Sequence, residues 1–435
     1  PTANPLPDQP AQTTVLEKEP ESLRAIRAAQ MEACEDCHPS IVEGYQKTGM
    51  GRSLYRTADA DQIEDFSTAN AVVNHKESGL TYRAYIDGDG RWWQEEVHPA
   101  SAFSRRVEAL YVIGSGNHTR SYLGEVNGRL IELPLTWYVR KKIWDMSPGY
   151  VENNFRFTRD IQPKCIFCHN DLTKTRPGTV SGYAEPLALG ISCARCHGDP
   201  TEHIALRESG QGPPDGEPDR SILNPKHLPK PQSQQVCEQC HLQGKSRVLV
   251  GQAKWDVYDP NTPLQDYMAI FVEKGKAGPE FGIASHGYRM KLSACAKDER
   301  LQCTTCHDPH QKNTHTAYLQ ACNGCHSDAK NPKTKTCQNP RGVKHGSDCV
   351  KCHMYKGETS DIPHVNFTDH YIRRRPERLL AQPSDDIETT SLVDVYEESR
   401  EEIEGQEARL GYAHHDVVDN SASRLINEHT EEGIR

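Results

Sequence analysis

Seven Cys-x-x-Cys-His units, an apolar content of only 35% and many surplus histidines predict mostly short α-helices and long loops, with a small β-rich insert, packed around something other than side chains. The spacing says what that is. Two intervening residues let one helical turn present both sulfurs to one edge of a porphyrin, while the next residue points at the metal. This is the attachment pattern of c-type haem, so the expected fold class is a multihaem cytochrome c with the haems as its core.

The stretch from Cys303 to His370 organises the chain. It holds three units, Cys303/Cys306/His307, Cys322/Cys325/His326 and Cys349/Cys352/His353. Four more precede them: Cys34/Cys37/His38, Cys165/Cys168/His169, Cys193/Cys196/His197 and Cys237/Cys240/His241. Together they use fourteen of sixteen cysteines, and the expected cofactors are seven covalently attached haems c. Zinc knuckles pair two Cys-x-x-Cys units per metal, and redox motifs do not need a histidine after the second cysteine every time. Neither explains seven repeats of the whole pattern.

The 435 residues suggest two or three domains, and 7% aromatic content is lean. Side chains alone leave too little buried area to offset chain entropy, so the chain is not expected to fold without haem. No run of about eighteen apolar residues marks a transmembrane helix. The first residues, Pro-Thr-Ala-Asn-Pro, lack the regions of a secretory signal. Haem attachment of this type takes place outside the inner membrane in bacteria. The expectation is therefore an exported chain, periplasmic or extracellular, with its signal removed and no N-terminal lipid anchor. The net charge is −10, and residues from Asp385 onward carry fifteen acidic against four basic groups. The body is near neutral.

In order along the chain, residues 1–30 read as an extended Pro- and Glu-rich arm. Residues 31–60 hold the first haem segment and a loop with Met50. Residues 61–150 lack attachment units and form the β-rich insert. Leu80–Ile86 and Arg91–Val97 flank Asp87-Gly-Asp-Gly, and Tyr122–Val126 and Arg129–Leu133 flank Asn127-Gly, each a hairpin signal. Trp92, Trp93, Trp137 and Trp144 are expected to pack over the first haem or against neighbouring strands. Residues 151–376 form a six-haem domain whose irregular unit spacing excludes a solenoid repeat. Residues 377–435 are an acidic tail with a weak apolar stripe at Leu392, Val395, Tyr396 and Ile403.

Fourteen of the twenty-one histidines are not proximal, twice the number that bis-histidine ligation of seven haems requires. The expected distal ligands are His118, His203, His286, His310, His345, His364 and His370, with His75 and Met50 in reserve. His310 lies too near His307 to cross its own haem, so it must serve a neighbour. Each ligand should also bond its free ring N–H to a carbonyl or carboxylate.

The segments Ala-Leu-Tyr-Val-Ile-Gly-Ser-Gly-Asn-His118, Met146-Ser-Pro-Gly-Tyr, Cys165-Ile-Phe-Cys-His-Asn, Cys193-Ala-Arg-Cys-His-Gly, Leu301-Gln-Cys-Thr-Thr-Cys-His-Asp-Pro-His and Phe367-Thr-Asp-His-Tyr-Ile resemble a family of secreted bacterial multihaem cytochromes. The resemblance covers residues 31–376. Members often carry tetratricopeptide repeats after the haem domain, and none follows Arg375. More distantly, the haem region is similar to the superfamily of hydroxylamine oxidoreductase and pentahaem nitrite reductase. No Cys-x-x-Cys-Lys unit of a nitrite-reducing haem is present. The departures weaken an enzymatic reading and leave electron transfer.

Cys295 and Cys337 belong to no unit and are expected to be bridged in an oxidising compartment, two free thiols being the alternative. The expected function is a heptahaem electron carrier with no catalytic residue, working with redox protein partners in a homo-oligomer or a larger assembly such as a filament. Nucleic acid is not an expected partner. The alternative is a reductase or oxidase of small nitrogen or sulfur compounds, which requires one haem with an open distal side. The termini are expected to make the assembly contacts, through Arg373, Arg374 and Arg375 of the body and the acidic tail, where His414 and His415 are candidates for a ligand in trans.

Overall fold

The structure, a computed structural model, describes residues 33–98, 100–101, 103–185, 187–214, 216–273, 281–326, 348–374 and 392–396. The N-terminal arm, Cys337, His345, Arg375, Ile403, His414 and His415 lie outside the described residues.

Both predicted hairpins form within a β region that runs from Leu54 to Met146. Its strands are β1 (Leu54–Arg56), β2 (Val72–Asn74), β3 (Thr81–Ile86), β4 (Trp92–Val97), β5 (Ser104–Glu108), β6 (Tyr111–Ile113), β7 (Thr119–Val126), β8 (Arg129–Glu132), β9 (Leu135–Tyr138) and β10 (Ile143–Met146). One sheet has the order β2-β3-β4-β5; the other runs β1-β6-β7-β9-β10 with β8 also on β7. β3 and β4 meet at Ile86 and Trp92, where the Asp87 carboxylate accepts the N–H groups of Asp89 and Arg91. β7 and β8 close through Asn127 and Gly128, both at positive φ (52° and 72°), the tight turn that Asn-Gly favours.

This region has a side-chain core of its own. Trp92, Tyr122, Trp137 and Trp144 pack together with Phe66, with Trp137 and Trp144 centred 5.6 Å apart. Trp93 lies outside that cluster, its indole N–H bonded to Asp87 and its ring under Arg106. Inside the core, Arg120 and Glu64 form an ion pair at 2.9 Å with side chains 4% and 0% exposed, and the Tyr122 hydroxyl donates to the same carboxylate. One sequence expectation needs correction here. The described residues mix short helices with several β-sheets, and side chains build a core where only haems were expected to. A lean average conceals a local concentration of Trp, Tyr, Leu, Ile and Val in alternating strands, which is enough to bury two sheet faces.

Beyond Met146 the described helices are short, the longest being Lys230–His241 and His315–His326 at twelve residues each. A small sheet orders β11 (Ser246–Leu249), β12 (Met268–Glu273) and, from the acidic tail, the last strand, β15 (Leu392–Asp394). Between them in sequence, β13 (Lys356–Glu358) and β14 (Asn366–Thr368) pair as a two-stranded ribbon. The tail's apolar stripe is used at Leu392 and Tyr396, which are buried against this sheet, and the Tyr396 hydroxyl bonds Glu238 at 2.5 Å. From Cys303 to His370, by contrast, Val365 is the one buried hydrophobic side chain among the described residues. The described residues of this unit-dense stretch have no core of side chains.

Candidate haem-binding site

Each attachment unit occupies a helical turn, and in three of them the sequence shows why the turn starts. Pro163 opens the turn of Cys165, Gln302 and Thr305 form a reciprocal cap on the turn of Cys303, and Asp348 accepts the Lys351 N–H above Cys349. The histidine N–H closes back on the first cysteine carbonyl in several units: His38 on Cys34 at 2.7 Å, His197 on Cys193 at 2.9 Å and His307 on Cys303 at 3.0 Å. Residues three apart then share a face. Both thiols of a unit point one way, with the imidazole beside them.

The tertiary structure sets histidines from distant parts of the chain opposite one another. Two imidazoles on opposite sides of one iron, each nitrogen about 2 Å from it, hold their ring centroids about 6.3 Å apart. His38 and His203 are 6.5 Å apart, His197 and His310 5.9 Å, and His307 and His370 6.0 Å. Each pair joins a proximal histidine to one from the distal set. His241 and His286 form a fourth pair at 5.1 Å with perpendicular rings, closer than an iron requires, and His286 also lies 4.4 Å from His370. The approach of His310 depends on Gly44 of the helix Pro39–Gln46. A Cβ there would lie 2.8 Å from the His310 carbonyl oxygen.

The outer nitrogens are held as iron ligation requires. Nδ1–H of His197 donates to the Leu223 carbonyl at 2.7 Å, that of His353 to Arg373 at 2.8 Å and that of His370 to Thr368 at 3.1 Å. Nδ1 of His203 bonds the Asp219 carboxylate at 3.0 Å, and Arg207 steadies the same oxygen. In each case Nε2 makes no hydrogen bond among the described residues and keeps its lone pair available. Burial pushes the His370 imidazole down to about 4 and those of His197, His286 and His307 below their usual range. They are held neutral, the form with a lone pair for iron. The donor set, the helical turns and the pair separations fit haem c.

Other expected ligands are placed differently. The His118 ring packs on Phe367 at 5.0 Å, and among the described residues no histidine lies against it. His364 has both nitrogens engaged, Nε2–H donating to Asp145 at 2.6 Å and Nδ1 accepting from Lys141 at 2.9 Å. In this arrangement it ties the β region to the last haem segment and presents no nitrogen to iron. His75 is a core histidine bonded by Nε2–H to the Tyr150 and Val151 carbonyls and by Nδ1 to Ser78. The Met50 carbonyl accepts from Ser53 and Ile191, which seats its loop beside the third unit. Among the described residues, no histidine ring lies against His169, His326 or His353, and no three ligating side chains converge as a metal cluster would require.

Thiols of different units touch. Cys34 bonds Cys193, Cys168 bonds Cys240, Cys237 bonds Cys303 and Cys322 bonds Cys349. The attachment turns therefore form a close-packed series. Among the described residues six of the expected attachment cysteines, Cys37, Cys165, Cys196, Cys306, Cys325 and Cys352, make no such contact. Of these, Cys37 and Cys352 are exposed and the other four half-buried. Sequence reasoning missed the residues that brace the series: Asp219, Asp369 and the interior residues of the units, Phe167, Arg195 and Gln239. Only the last three carried a signal, being large or polar side chains inside the attachment turns.

A protein family described as cytochrome c554 and c-prime matches residues 146–198, the stretch with the second and third units. No curated protein matches the chain. Among solved structures, the outer cell wall cytochrome OcwA is similar to it, with a TM-score of 0.47 and 15% identity over 79% of this chain and 78% of that one. The family match over two attachment units supports a multihaem c-type cytochrome that binds haem c covalently and transfers electrons.

Proposed function

We propose that the chain carries seven haems c, one on each Cys-x-x-Cys-His unit, and passes single electrons along them between redox protein partners. The observation that carries this reading is the set of histidine pairs His38–His203, His197–His310 and His307–His370, each at the separation that one iron spans. Bound haem supplies the one-electron couple. The chain's own residues would hold each ring edge by two thiols and aim the imidazoles of His197, His203, His353 and His370 through their outer bonds. The close approach of the units would let an electron received from a donor protein be handed on through the series to an acceptor. The attachment chemistry supports export to the periplasm or beyond, and no described helix is long and apolar enough to cross a membrane. Assembly with like subunits, as in a filament, belongs to the same proposal.

Mass spectrometry of the denatured chain counts the haems. Electron paramagnetic resonance then counts low-spin irons, with seven of each expected. Fewer covalent haems than units refutes the attachment reading. One observation favours a second reading: His169, His326 and His353 have no histidine against them among the described residues. A high-spin signal amounting to one haem would make that haem open and the protein a reductase or oxidase of small nitrogen or sulfur compounds.

A further inference from the structure

Three attachment turns meet at one side chain. Arg195 is the third residue of the unit Cys193–His197 and is 2% exposed. Its guanidinium lies 4.4 Å from the centre of the Phe167 ring, and Phe167 is the third residue of the unit Cys165–His169. Its Nη2 and Nε donate to Oε1 of Gln239 at 2.8 and 3.3 Å, and Gln239 is the third residue of the unit Cys237–His241. Gln239 returns a bond from Nε2 to the Arg195 carbonyl at 2.9 Å. The same position in three units builds one joint.

The charge at this joint has no carboxylate partner among the described residues. Arg195 is met by an amide oxygen, the Asn170 carbonyl at 3.5 Å and an aromatic face. Buried cations are ordinarily paired, because desolvation costs more than neutral dipoles return. The guanidinium sits between the interior residues of the second, third and fourth units, in contact with the side chains of two of them.

We propose that Arg195 is a potential-setting residue: its fixed positive charge raises the reduction potentials of the haems on the second, third and fourth units, so that electrons collect at the junction of the haem series. The inference rests on the haem attachment proposed above. Reducing a haem adds one electron near the guanidinium, and the attraction is strong at short range in a poorly solvated interior. The electron comes from a neighbouring haem, which loses it, so Arg195 alters where an electron rests and not how many are carried. The units beyond its reach, above all the sixth and seventh, feel it least.

The test is a potentiometric titration of the purified holoprotein, followed by its visible spectrum, for the wild type, Arg195→Gln and Arg195→Lys. Gln keeps hydrogen bonding and removes the charge; Lys keeps the charge. The Gln curve is expected to fall at its high-potential end and to overlay the wild type elsewhere, while the Lys curve follows the wild type. Gln239→Glu, which sets a carboxylate against the guanidinium, is expected to lower the same part of the curve. It keeps the test decisive should the Gln variant fail to mature. Gln and Glu curves that superimpose on the wild type at full haem content overturn the proposal, as does a Lys curve shifted like Gln. Absence of covalent haem from the wild type on a denaturing gel is a separate outcome that overturns the attachment reading itself.

Discussion

Asp369→Asn tests what holds the described residues between Cys303 and Arg374 together, where side chains form no core. Asp369 accepts Nε and Nη2 of Arg289 at 2.9 and 2.6 Å and Nη2 of Arg373 at 2.7 Å, and the three side chains are 0%, 3% and 5% exposed. Its Oδ1 also takes the Tyr371 N–H at 3.0 Å. The next residue, His370, faces His307, and the Arg373 carbonyl holds Nδ1 of His353. One carboxylate thus positions two histidines. An amide of the same shape keeps a single oxygen acceptor and leaves two buried cations without an anion. Removing one member of a buried ion pair costs about 3–5 kcal/mol. Against a domain stability of about 5–15 kcal/mol, that is a large fraction. A guanidinium chloride titration followed at the Soret band is expected to show a midpoint lowered to match, and electron paramagnetic resonance is expected to show fewer low-spin irons. A midpoint within about 0.5 kcal/mol of the wild type, the range of an inert surface change, with an unchanged low-spin count would refute the reasoning.

Expression without haem attachment is expected to leave strands β2 to β10 protected in hydrogen exchange while residues 303–326 and 348–374 exchange freely, because among the described residues only the first group has a core of its own; uniform exchange across both would contradict this. Arg120→Met strands Glu64 in the β core with only the Tyr122 hydroxyl and the Ile63 N–H as partners, and should cost about 3 kcal/mol, read from chemical denaturation by far-ultraviolet circular dichroism. Gly44→Ala places a Cβ against the His310 carbonyl and is expected to weaken the His197–His310 pair, visible as the loss of one low-spin signal with the haem count unchanged.

What could be read in the sequence was local. A Cys-x-x-Cys-His unit needs only one helical turn, so its geometry follows from neighbours in the chain, and all the described units show such a turn. The hairpins at Asp87-Gly and Asn127-Gly are of the same kind, since a two- to four-residue turn chemistry sets their register. The apolar stripe of the tail named Leu392 and Tyr396 for the same reason of periodicity.

What only the tertiary structure decided was non-local. No periodicity could say that His310 faces His197, because that pairing depends on how the helix Pro39–Gln46 lies against the loop after His307, and on a glycine allowing the approach. Nor could it say that Cys34 meets another unit while Cys37, one turn on in the same unit, lies exposed. His364 and His75 are histidines like the ligands, yet hydrogen bonds to Asp145 and Lys141 in the first and to Tyr150, Val151 and Ser78 in the second use both their nitrogens. The β core was hidden because an average over the chain cannot reveal two sheet faces closing on each other. The joint at Arg195 was hidden because three interior residues of separate units gain meaning only when those units touch. Sequence determined the chemistry each turn can offer, since that is written in a few adjacent residues; packing decided which turns face one another, since that depends on contacts between distant ones.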